Sequence, residues 1–175
     1  MKKTKIQIII ILLILPCILL SYDNPMDLYK FAYGLYKDKT YQLSMEQFQK
    51  LITLYPDSTE AINSNYMIAE CLYKTGDYEK AIKKYEDIVG RYTSLEYKDT
   101  VLYRIGECYY RLKDYESAVK WFKILPTESY LYADALFWMA ESLYNQNNFN
   151  DAIKIYEKIT ADFPSCKLID HAYYS

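Results

Sequence analysis

IAECLYKTGDYEKAIKKY, residues 68–85, decides the fold, because the chain carries the same pattern three more times. FAYGLYKDKTYQLSMEQF (31–48), IGECYYRLKDYESAVKWF (105–122) and MAESLYNQNNFNDAIKIY (139–156) superimpose on it without gaps. A small residue recurs at Ala32, Ala69, Gly106 and Ala140, with steps of 37, 37 and 34. Tyr41, Tyr78, Tyr115 and Phe149 keep these steps, as do Ser44, Ala81, Ala118 and Ala152, and then Phe48, Tyr85, Phe122 and Tyr156. Self-similarity at a fixed period of this length marks a repeat architecture.

Within each unit the apolar residues follow helical spacing. Leu102, Ile105, Gly106 and Tyr109 share one helix face, and Tyr115, Ala118, Val119 and Phe122 share the next. Each repeat therefore predicts a helical hairpin. Its polar turn ends in Thr40, Asp77, Asp114 or Asn148, whose side-chain oxygens suit the cap of a following helix. Second helices are expected to stop near Pro56, Pro126 and Pro164, since proline lacks the N–H that would continue the ladder. The small columns let paired helices approach closely, and helices of about 15 residues are marginal alone in water, so the hairpins must stack on one another. The expected fold is all-α: a right-handed superhelical solenoid of four repeats (25–61, 62–98, 99–132 and 133–164), followed at 165–175 by the start of a further helix that looks cut short.

Half of the 175 residues are apolar, 25% are charged, and tyrosine is the outlier at 22 copies. Residues 1–22 carry a basic start (Lys2, Lys3, Lys5), an unbroken apolar run over 8–20 and then Ser21. That run falls short of the roughly 20 residues that cross a bilayer as a helix and suits a signal-peptide core. Export to a periplasmic space, or anchoring that faces it, is expected, with any membrane contact through this segment. An uncleaved anchor and a lipid-modified Cys17 stand as alternatives, although Leu15 and Pro16 are not the small residues that precede a lipoprotein cysteine. Without the three leader lysines the formal charge of -2 becomes -5. An acidic body with its cations scattered singly excludes nucleic acid as the expected partner. Cys71 and Cys108 fall at equivalent places in successive repeats, too far apart for a disulfide, and are expected to be packing residues.

The small residue, double aromatic, G-D-Y-like turn, alanine, aromatic and closing proline together resemble a tetratricopeptide repeat over about residues 25–164. Departures are mild: most steps are 37, Ser44 replaces an alanine, and Thr93 stands where the second unit would carry proline. YPDSTEAINSNYMIAECLYKTGDYEKAIKKY (55–85) is similar to repeats of exported bacterial tetratricopeptide proteins, among them the Tol-Pal-associated periplasmic protein and the lipoprotein of the outer-membrane protein assembly machine. That resemblance implies a cell-envelope scaffold, with assembly-machine or Tol-Pal components as partners. It also implies that a peptide or partner helix lies along the first helix of each repeat. On that helix Tyr29, Tyr66, Tyr103 and Phe137 form one column, and Tyr36, Tyr73, Tyr110 and Tyr144 form another seven residues on. Glu70, Glu107 and Glu141 lie between them, with Lys37, Lys74 and Arg111 just beyond. These spacings give an aromatic ladder edged with charge. The alternative is that the same rings fill seams between hairpins and the charges form a solvated rim.

Catalysis is not expected. The only histidine is His171, no nucleophile, phosphate-loop or metal-ligand pattern is present, and the repeated glutamates are spread one per repeat. No cofactor or metal is implied. A second reading is a docking module of a larger envelope protein with a downstream catalytic or peptidoglycan-binding domain, because Ala172, Tyr173 and Tyr174 are not the polar face that a terminal repeat presents.

Overall fold

The computed structural model describes residues 24–92, 96–166 and 168–174; the leader over 1–22, with Cys17, and Thr93 lie outside them. Among the described residues the regular structure is entirely helical: α1 Pro25–Lys37, α2 Tyr41–Leu54, α3 Thr59–Thr75, α4 Tyr78–Arg91, α5 Lys98–Arg111, α6 Tyr115–Lys123, α7 Tyr132–Asn145, α8 Phe149–Asp162 and α9 Ile169–Tyr174. Four hairpins and part of a fifth result. The second repeat opens at Thr59, so the expected border at 61/62 falls inside α3. No described helix is long and apolar enough to cross a membrane.

One turn joins the two helices of every hairpin. Lys39, Gly76, Lys113 and Asn147 take φ of 61°, 83°, 63° and 62°, the left-handed region that ends helices. Their N–H groups donate to the carbonyls of Tyr36, Tyr73, Tyr110 and Tyr144 at 2.9–3.2 Å. The next residues, Thr40, Asp77, Asp114 and Asn148, donate to Leu35, Leu72, Tyr109 and Leu143 at 2.9–3.0 Å. This paired Schellman pattern satisfies carbonyls that the first helix would otherwise leave open.

The capping expectation needs correction. Of the four residues that end the turns, Thr40, Asp77, Asp114 and Asn148, only Asp114 accepts a backbone N–H at its helix start, from Ser117 at 3.1 Å. Thr40 turns back to donate to the Leu35 carbonyl, while Asp77 and Asn148 engage Lys80 and Asp151. The Schellman turn already fixes these residues, and local side-chain partners outcompete the cap.

The chain divides into two compact units, residues 1–64 and 65–175, with the division inside α3. In the first unit Leu28, Leu51 and Ala61 form a closed core. Ser44 is buried where other repeats carry alanine, and its Oγ donates to the Ala32 carbonyl at 2.8 Å, so the substitution adds a bond between α1 and α2.

In the second unit each core cluster joins a hairpin to the first helix of the next. Ala69, Ala81, Ile82, Tyr85 and Ile88 pack with Val101, Ile105 and Cys108. Leu102, Tyr103, Ala118 and Phe122 pack with Ala135, and Phe137, Ala140, Tyr156 and Ile159 pack with Ala172. The stack is thus stabilised by nearest neighbours. Cys71 and Cys108 are buried and not joined in a disulfide, as packing residues are.

Candidate functional site

The two tyrosine columns occupy different depths of the hairpin. The first packs on the inner aromatic of the partner helix: Tyr29 on Phe48, Tyr66 on Tyr85, Tyr103 on Phe122 and Phe137 on Tyr156, with centroids 5.4, 6.2, 5.7 and 6.2 Å apart. Tyr103 and Phe137 are buried, and Tyr29 and Tyr66 half-buried. This corrects the groove assignment for Tyr103 and Phe137, which belong to the interior because the apolar stripe that packs the hairpin is wide enough to include them.

The second column stands at the turn, where its carbonyls hold the left-handed residue. Tyr36, Tyr73, Tyr110 and Tyr144 meet the first ring of the next helix edge to face, at 5.6, 5.8, 5.5 and 5.2 Å from Tyr41, Tyr78, Tyr115 and Phe149. Tyr36, Tyr73 and Tyr110 are half-buried and Tyr144 is exposed. Lys37, Lys74 and Arg111 are exposed beside them.

Between the columns of the second unit lies a polar cluster with an unanticipated centre. Arg104 of α5 donates from Nε to Glu70 at 3.0 Å and from Nη1 to Glu107 at 2.6 Å. Its guanidinium also lies 4.9 Å from the Tyr73 centroid, a cation–π contact. The Tyr85 hydroxyl donates to the same Glu70 carboxylate. Glu70 is therefore buried with partners on two sides, instead of edging a groove. Burial opposes the charge on Arg104, yet the two carboxylates outweigh it and raise its pKa. Burial raises the Glu107 carboxyl, against the lowering pull of Arg104. One repeat on, Phe122 replaces Tyr85, Trp138 replaces Arg104, and Tyr110 packs on Trp138 at 4.9 Å. In α7, Glu141 accepts from Tyr156 of α8.

Arg104 and Trp138 share a column two residues before the small one. Its signal was readable as a cation three residues before Glu107 on the packing face. The cations of α4, expected to be scattered singly, are grouped. Lys80, Lys83, Lys84 and Arg91 line one cavity of about 410 Å³, because offsets of 3, 4 and 11 residues return to one helix face. Asp77 and Asp87 pair with Lys80 and Arg91 at 2.6 Å each, so the patch is partly neutralised.

Burial pushes the Tyr73 phenol up to about 12, with Glu107 adding to the shift. Tyr85 and Tyr103 are also raised, chiefly by burial and then through Glu70 and Glu107 respectively. A phenol that keeps its proton longer when folded contributes stability that is intact below the unfolded pKa of 10.0 and lost as pH rises through the raised values. Alkaline titration followed at once by phenolate absorbance and far-UV circular dichroism is expected to show a late group of tyrosines that ionise only as helix is lost. Titration of every tyrosine near pH 10 with helix content unchanged would contradict this burial.

Two family models described as tetratricopeptide repeat match the chain, one over residues 60–123 and the other over 28–58 and 134–165. No protein with a curated description matches it. Among solved structures the chain is similar to the apo form of RapI, at 18% identity and a TM-score of 0.68, covering 79% of this chain and 55% of that one. It is also similar to MamA from Desulfovibrio magneticus, at 17% identity and a TM-score of 0.69, covering 83% and 79%. A tetratricopeptide repeat protein from Parabacteroides merdae aligns at 15% identity and a TM-score of 0.72, covering 85% and 57%. The chain thus spans little more than half the length of two of these three proteins, and identities this low speak for the fold.

Proposed function

Because this chain belongs to the tetratricopeptide-repeat family, we propose that it is a non-catalytic scaffold that holds a peptide or partner helix along its first helices. The observation that carries this reading is the Tyr73, Tyr110 and Tyr144 column of the second unit. Its rings recur at one place in three hairpins, keep part of their surface open, and stand beside the exposed cations Lys74 and Arg111. Such rings pack and donate a hydrogen bond at once, the combination that anchors interfaces. The basic and apolar leader pattern supports export, and resemblance of residues 55–85 to exported repeats supports a place in the cell envelope, with Tol-Pal or outer-membrane assembly components as partners.

The test is affinity capture from cell-envelope extract with leaderless protein and with the Lys74→Glu/Arg111→Glu variant. Both side chains are exposed, so the melting temperature is expected to hold while partner recovery falls at least tenfold. Equal recovery by the two proteins would remove the first-helix face as the binding surface.

A further inference from the structure

One stripe of α4 carries more positive charge than the repeat needs. Lys80, Lys83, Lys84, Asp87 and Arg91 follow offsets of 3, 4, 7 and 11, so they share the helix face that lines the cavity of about 410 Å³. Its floor is Leu72 of α3, half-buried against the core cluster that holds Ala81 and Tyr85.

The later hairpins of the unit show what is particular here. The column of Lys84 continues as Trp121 and Ile155, both packed on core clusters, whereas Lys84 donates to Asn65 Oδ1 at 3.0 Å. The column of Lys83 continues as Lys120 and Lys154, each paired within its own helix, with Glu116 at 2.7 Å and Asp151 at 2.8 Å. Lys80 stands where that last hairpin has Asp151. Asp77 and Asp87 balance Lys80 and Arg91, which leaves Lys83 and Lys84 without an ion-pair partner among the described residues.

We propose that this face of α4 is a second docking surface, which takes an acidic segment of a protein partner. Its carboxylates meet Lys83 and Lys84, and an aliphatic side chain between them covers Leu72. Charge complementarity selects this occupant. With Asp77 and Asp87 set among the cations, a phosphate dianion would meet repulsion, whereas a peptide places single carboxylates on the two open lysines and keeps clear of both aspartates. The surface lies on a second helix and does not rest on the first-helix reading above.

The probe is an acetylated, amidated hexapeptide alternating glutamate and leucine, titrated into the full chain at low salt and followed by NMR. Its analogue with glutamine for glutamate keeps the shape and loses the charge. Saturable shifts centred on Leu72, Lys83 and Lys84 are expected, with at least tenfold weaker binding of the glutamine peptide and falling affinity as salt rises. Lys83→Gln/Lys84→Gln keeps an amide donor for Asn65, so it is expected to hold the melting temperature and weaken the glutamate peptide at least tenfold. Lys83→Glu alone, at an exposed position, is expected to weaken binding with the fold intact. Equal binding of the two peptides, no saturable shift at about 10 mM probe, or an unaffected Lys83→Gln/Lys84→Gln variant overturns the surface. Tighter binding of inorganic phosphate than of the peptide, or binding to anionic phospholipid vesicles that this variant loses, gives the face to phosphate or lipid and overturns it too. If Lys74→Glu/Arg111→Glu loses the probe instead, acidic segments dock on the first helices, and this proposal falls while that reading stands.

Discussion

Arg104→Ala is expected to lower the free energy of unfolding by about 3–5 kcal/mol, measured by urea denaturation, because it strands two carboxylates that the fold has taken out of water. Glu70 is 4% exposed and would keep only the Tyr85 hydroxyl among its charge-stabilising partners described above. Glu107, already pushed up by burial, would lose the cation that offsets it. The Tyr73 ring would lose one of the two cations that lie over it. The comparison that separates charge from packing is the triple change Arg104→Met, Glu70→Gln, Glu107→Gln. Neutral groups of similar size remove the stranded charge, so this variant is expected to recover most of the loss. If Arg104→Ala unfolds at the same urea concentration as the parent, the cluster is solvated and its assignment as a buried network is wrong.

Gly106→Ala is expected to destabilise by about 1–3 kcal/mol, against the usual gain of putting alanine into a helix. The same column carries Ala32, Ala69 and Ala140, so a consensus of the repeats recommends the change. The structure argues otherwise. A Cβ at Gly106 would stand 2.6, 2.8 and 2.9 Å from three ring atoms of Phe122. That ring is 2% exposed, and a densely packed interior makes turning it aside costly. A second change, Phe122→Leu, is expected to restore part of the loss by withdrawing the ring edge. A melting temperature for Gly106→Ala at or above that of the parent would show that α5 and α6 can part cheaply.

Gly106 also shows where sequence reading stops. The hairpins, their turns and the small column follow from period and spacing, since a helix places residues three and four apart on one face whatever the neighbours. The choice between glycine and alanine within that column depends on how near a particular ring lies, which no spacing encodes. The tyrosine columns divide for the same reason. A packing stripe of about 100° or more is too broad for periodicity to separate Tyr103, inside, from Tyr110, at its edge. Arg104 went unnoticed because a cation on a helix face usually looks outward. Only the stacking of α5 on the preceding hairpin turns it onto Glu70. The basic face of α4 was legible in principle, as Lys80, Lys83, Lys84 and Arg91 obey helical offsets, but their spread over twelve positions hid the grouping.

The buried thiols Cys71 and Cys108 have a chemical consequence. Burial, with Glu107 adding to it, pushes Cys108 up to about 12, and Cys71 is equally enclosed. Alkylating reagents attack the thiolate, so the native chain withholds these two nucleophiles and offers Cys166 in their place. Each parting of α5 from the preceding hairpin briefly unmasks the Cys108 sulfur. Its rate of modification therefore clocks how often these two elements breathe apart, with the reporter already written into the chain.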